Sequence, residues 1–146
     1  MKVSAKGRYA LAALVYIARN YDSGNLVTTL TIAEELNISK IYLEQVFSLL
    51  KGAGLVTSVK GSRGGYQLAK SPKNITAYHV LSVIENSFSE EVMPATSGKM
   101  PEIDNAIAAQ VYRPLDEKLR DFLSGVSLAD ILAAVERDAA SPMYYI

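Results

Sequence analysis

Five residues close together in the chain, Ser39, Lys40, Tyr42, Glu44 and Gln45, have side chains suited to a nucleic-acid duplex. A glutamine amide can bond adenine bidentately, and a glutamate can accept from the N4 amino group of cytosine. Serine, lysine and tyrosine suit phosphate oxygens, as do the unpaired N–H groups that open a helix. A second group follows: Lys60, Arg63, Lys70 and Lys73 are the only charged residues between positions 60 and 73. Gly61, Gly64 and Gly65 among them allow close backbone approach, and Lys60 or Arg63 could enter a minor groove, where narrow A·T-rich tracts attract cations. Alone, Glu44 and Gln45 would simply face water, and a basic hairpin can be no more than a solvated one. Occurring in succession, the two groups favour contact with DNA.

Other chemistry is thin. The 146 residues include no cysteine, which removes disulfides, thiol nucleophiles, thiolate zinc sites and thiolate-held iron–sulfur clusters. His79 is the one histidine, and beside Tyr78 it reads as a surface or core-edge residue rather than a ligand. With no nucleophile–base pair and no metal-ligand spacing, an enzyme is the weakest reading, and no cofactor is expected. The net charge of zero conceals an asymmetry. Residues 1–75 hold ten Lys/Arg against four Asp/Glu, and residues 76–146 hold five against eleven. A basic half of this kind points to a nucleic-acid or membrane partner. No stretch reaches the roughly 18 apolar residues of a membrane span. Lys2, Lys6 and Arg8 precede an apolar run too short for a signal peptide, so the expected location is the cytoplasm.

The elements that must position these residues follow from periodicity. Gly7 to Asn20 carries a helical stripe of Tyr9, Leu11, Leu14, Val15, Ile17 and Ala18. Thr28 or Thr31 can cap a short second helix, Thr31 with Glu34 having the capping-box spacing, and the sequence leaves the start open between them. Ser39 is the expected cap of a third helix to about Lys51, with Leu43, Val46, Phe47 and Leu50 buried and glycines after it. Two helices joined by a short turn make a helix-turn-helix. Leu55–Val59 and Tyr66–Ala69 then alternate as strands around a glycine turn, which adds a wing. Thr76 caps a helix to about Asn86 with Tyr78, Val80, Leu81 and Ile84 on its apolar face, and residues 87–101, with Met93 and Met100, read as a loop. Ile103, Ile107, Val111, Leu115, Leu119 and Phe122 recur every three or four residues, predicting a long helix over 102–123 that Pro114 should kink or break. Ser127 with Asp130 opens a last helix through about Glu136.

The expected fold is therefore mainly α with a small β wing. A winged helix-turn-helix DNA-binding domain occupies residues 1–86, a loop 87–101, and a dimerisation helix, final helix and tail 102–146.

Ser4-Ala5-Lys6-Gly7-Arg8-Tyr9-Ala10-Leu11, Tyr42-Leu43-Glu44-Gln45, Gly54-Leu55-Val56 and Gly61 through Gly64-Gly65-Tyr66 resemble the Rrf-two family of bacterial winged-helix regulators. The similarity is detailed over residues 1–86 and looser to residue 135. It implies a homodimer in which the first helix and the long helix after the wing pack across the two-fold. It also implies that Ser39, Tyr42, Glu44 and Gln45 meet the major groove and Lys60 the minor groove. Apart from the resemblance, the cations Lys6, Arg8, Lys40 and Arg63 are expected as further DNA contacts. Cluster-binding members carry three cysteines in the loop matching 87–101, where this chain has none. It looks most like the cluster-free members that repress cysteine metabolism, which share an aromatic tail ending in Ile.

The expected function is a cluster-free transcriptional regulator, a repressor of cysteine or sulfur metabolism, binding a pseudo-palindromic duplex as a homodimer through Ile103, Ile107, Val111, Leu115 and Leu119. The alternative is a winged-helix module for protein–protein contact. The tail, with Tyr144, Tyr145 and Ile146, either packs on the dimer or, as the resemblance implies, presents its terminal carboxylate to cysteine synthase.

Overall fold

The computed structural model describes residues 3–88 and 91–140. The chain begins with α1 (Ala5–Ala18), whose cap Ser4 accepts a hydrogen bond from Gly7 N–H at 3.1 Å. After a turn, α2 (Thr29–Leu36) starts behind Thr28, whose hydroxyl oxygen accepts from Thr31 N–H at 3.1 Å. Long-range pairing makes Thr28 the cap. Val27 forms an antiparallel bridge with Tyr66, so the backbone stays extended up to the residue before the helix. The Thr31–Glu34 alternative is not used.

Asn37, left-handed at φ 53°, ends α2 and turns the chain into α3 (Lys40–Gly52). Ser39 takes the cap position, but its hydroxyl makes no capping hydrogen bond, contrary to expectation. Its backbone turn alone starts the helix. Strands β1 (Val56–Val59) and β2 (Gly65–Leu68) pair antiparallel with Val56 opposite Leu68, forming the wing. Gly64 and Gly65 permit its geometry. A Cβ at Gly64 would lie 2.0 Å from the Val59 carbonyl oxygen, and Gly65 has φ +150° with Val27 backbone against it.

Helix α4 (Ala77–Ile84) opens with a reciprocal cap: Thr76 accepts from His79 N–H, and His79 Nδ1 accepts from Thr76 N–H, both at 3.1 Å. This gives the exposed histidine a structural role that its neighbours in sequence did not suggest. A short 3-10 turn at Asn86–Phe88 follows, where Phe88 meets Tyr78 edge to face.

The long helix is continuous but changes pitch. Helix α5 (Pro101–Ile107) passes through a π turn at Ala108–Tyr112 into α6 (Arg113–Ser124). Arg113 N–H bonds the carbonyl of Ala108, five residues back. The wider turn admits the ring of Pro114, which lacks an N–H and would clash with the preceding turn of a regular helix. The expected kink or break is therefore a π turn.

Ser127 and Asp130 cap each other at the start of α7 (Leu128–Ala140), which runs past Glu136. Leu128 is fully buried and its N–H bonds the carbonyl of Ile75, while Ala77 N–H bonds that of Val126. One core thus joins Leu14 and Ile17 of α1, Ile32 of α2, Leu43, Phe47 and Leu50 of α3, Val56, Leu68, Val80 and Leu128.

Candidate nucleic-acid interface

The core stripe of α3 decides what the helix shows to solvent. At about 100° per residue, Leu43, Val46, Phe47 and Leu50 occupy one side. Ile41, Gln45 and Ser48 fall within about 30° of the opposite direction, with Glu44 and Tyr42 on the two flanks. All five are exposed. Phe47 is stacked on Tyr66 of the wing, with ring centroids 4.5 Å apart, so the inner face of α3 anchors the hairpin while its outer face stays open.

Of the residues expected to meet DNA, Lys6, Ser39, Tyr42 and Gln45 come together, and Ile41 completes the lining of a cleft of about 330 Å³. The Tyr42 ring sits edge to face on Tyr9 at 5.9 Å, tying the head of α3 to α1. That contact carries Lys6 alongside. Lys40 pairs with Glu44 at 3.7 Å, one turn apart and both exposed, an arrangement of small energetic weight that a phosphate or a base could replace.

The remaining predicted cations lie elsewhere. Arg8 donates to the Val3 carbonyl at 3.0 Å and does not line the α3 cleft. Lys60 is exposed at the wing. Arg63 lines a separate cleft with Tyr16, Asn20, Asn25 and the Thr28–Thr31 cap. Sequence reasoning passed over Ile41, which is 70% exposed. Projecting α3 about its axis would have found it.

Along α5 and α6 the apolar stripe is left largely open. Val111 and Leu115 are more than half exposed, Phe122 is 69% exposed, and Ile103 is exposed as well. Ile107 and Leu119 are half-buried. The inner side packs on α4, where Arg120 lies over the Tyr78 ring at 5.7 Å.

A helix-turn-helix with an exposed outer face on its second helix, followed by a basic two-stranded wing, is the architecture of winged-helix DNA-binding proteins. Residues 3–134 match the family described as "Rrf2: Iron-dependent Transcriptional regulator". The chain is 30% identical to the regulator CymR of Bacillus subtilis over the full length of both. It is 35% identical to the regulator IscR of Klebsiella pneumoniae over 90% of this chain and 80% of that one. Among solved structures, T. potens IscR superimposes with a TM-score of 0.74 at 31% identity, covering 100% of this chain and 97% of the other. The structure of B. subtilis CymR, described as that organism's global cysteine regulator, gives 0.73 at 30% identity over 92% and 98%. The chain belongs to the Rrf2 family: it is a helix-turn-helix transcriptional regulator related to CymR and IscR.

The iron in the family's description finds no match in the donor set here. The chain has no cysteine for thiolate ligation, and the described residues contain no group of three His, Cys, Asp or Glu placed to hold a metal ion. None of the helices described is long and apolar enough to cross a membrane.

Proposed function

We propose that the chain is a homodimeric, cluster-free repressor that reads a pseudo-palindromic operator with α3 in the major groove and the wing in the minor groove. The observation that carries this is the cleft at the head of α3. Lys6, Ser39, Tyr42 and Gln45 gather there around the N-terminal turn, the part of a recognition helix that meets base edges. The hydroxyl of Ser39, unused as a cap, is suited to a phosphate oxygen. Arg8, Lys40, Lys60 and Arg63 supply further phosphate or minor-groove contacts, and Glu44 reads a base once it leaves Lys40. The open stripe of α5 and α6, with Ile103, Ile107, Val111, Leu115 and Leu119, is the dimer contact, since an apolar surface of this length is unusual on a monomer. Dimerisation sets two α3 helices about one turn of DNA apart.

The test is duplex binding against salt concentration, with sites selected from a random pool. DNA binding predicts a steep log–log fall in affinity from counterion release and a two-fold symmetric consensus. A winged-helix module for protein contact predicts neither.

Full-length similarity to CymR, together with the absence of cysteine, favours genes of cysteine or sulfur metabolism as the regulated set. The tail with Tyr144, Tyr145 and Ile146 lies outside the described residues. Its sequence suits capture of the terminal carboxylate by cysteine synthase, and calorimetry with Ile146 deleted tests this: equal affinity with and without Ile146 would end the proposal.

A further inference from the structure

We propose that Ile41 is a specificity-determining residue that packs on the 5-methyl group of a thymine in the major groove, an inference that rests on the DNA-reading role of α3. The side chain sits in the first turn of α3, 70% exposed, almost directly opposite the buried face of the helix. Such a residue is placed to meet an apolar group on whatever α3 binds. On the base edges of the major groove, the thymine methyl is that group.

The surroundings argue against an apolar protein partner. Gln45 and Ser48 continue the outward stripe with an amide and a hydroxyl, and the cleft beside Ile41 is lined by Lys6, Ser39, Tyr42 and Gln45. Ile41 is thus a single apolar contact set among hydrogen-bonding and cationic groups. That mixture matches a base-pair edge, where a methyl lies beside donors and acceptors and phosphates flank the groove.

Spacing makes the inference more specific. Four residues of helix separate Ile41 from Gln45 by about 6 Å along the axis. A base-pair step is about 3.4 Å. The thymine met by Ile41 therefore lies one or two pairs from the adenine bonded by Gln45. An adenine-reading amide and a methyl-reading Ile side by side select a short A·T-rich core in each half-site.

The experiment removes only the methyl. Sites are selected from a random duplex pool with the full chain, and each thymine of the consensus is then replaced by uracil in both half-sites. Affinities are measured for the wild-type chain, Ile41→Ser, Ile41→Ala and Gln45→Ala. At one thymine per half-site, uracil should weaken the wild-type chain about fourfold per contact, the worth of one buried methyl. Both Ile41 variants should lose that sensitivity at that thymine alone, and Gln45→Ala should retain it. Because Ile41 is exposed, both variants should melt with the wild-type chain. A consensus at which Ile41→Ser keeps every uracil penalty would overturn this proposal and leave the DNA reading standing. Selection that yields no consensus would overturn both.

Discussion

The carboxylate of Glu85 and Ser4, the cap residue of α1, are joined across 81 residues of sequence. Glu85 Oε1 accepts from both the N–H and the hydroxyl of Ser4, each at 2.8 Å, and the Glu85 side chain is buried to 8% exposure. A buried carboxylate at a helix N-terminus gains from the unpaired N–H groups and the helix dipole there. It also fixes α1, which carries Lys6 and Tyr9, to the end of α4. The position of Lys6 beside α3 thus depends on a contact made two residues before it, with the end of α4.

Gly7→Ala should disrupt this joint. A Cβ at Gly7 would lie 2.2 Å from Glu85 Oε1 and 2.8 Å from Val3 Cγ1, so the carboxylate must move away from Ser4. Loss of about 1–3 kcal/mol is expected, the cost of leaving a buried polar group poorly paired. Thermal and urea melts give the value, and a midpoint equal to that of the wild-type chain would show that Glu85 is not held as described.

Gln45→Ala should lower affinity for the selected operator by about 1–3 kcal/mol and relax preference at one base pair, with little change on unrelated duplexes. Lys60→Ala should behave differently. If the wing enters a narrow minor groove, it weakens binding to A·T-rich flanks more than to G·C-rich ones. Gel-shift titrations on matched duplexes separate the two patterns.

Replacing Val111 and Leu115 together by Asp should yield monomers that no longer bind a two-site duplex. Both side chains are more than half exposed in the single chain, so the change leaves the core intact and acts on association. Sedimentation velocity gives the oligomeric state, and circular dichroism confirms the fold. Dimers persisting in the double variant would exclude α5 and α6 as the contact.

Two aspartates set an acid limit. The N–H of Ser127 and, secondly, its hydroxyl stabilise the Asp130 carboxylate and hold it below its ordinary value, while Asp130 N–H donates in return to Ser127 Oγ. Asp104 is lowered chiefly by the Thr96 hydroxyl, with Thr96 N–H adding at 3.1 Å. A carboxyl whose pKa is lower folded than unfolded contributes stability above its unfolded pKa, and that contribution is lost as pH falls through the folded value. Melting midpoints should therefore drop below about pH 4, and Asp130→Asn should flatten the drop. Carboxyl NMR titration checks each site directly; an Asp130 midpoint at the unperturbed aspartate value would contradict the cap.

Local and periodic features were legible in the residues themselves. The Thr76 and Ser127 caps follow from hydrogen bonds spanning three residues. The buried stripe Leu43, Val46, Phe47 and Leu50 follows from helix periodicity, and the wing from alternation around Gly61–Gly65. Such signals need only neighbours within a turn or two. The tertiary structure decided what depends on distant partners. Thr28 caps α2 because Val27 must stay extended to pair with Tyr66. Glu85, a surface residue by type, is buried because Ser4 supplies its hydrogen bonds. Leu128 joins the core because its backbone bonds Ile75, more than fifty residues earlier. Ile41 is the contrary case: apolar by type, it faces solvent because Leu43, Val46, Phe47 and Leu50 claim the other side of α3, which helix periodicity alone makes legible. Residue type sets what a side chain favours on average, and packing against distant segments decides which side chains obtain it.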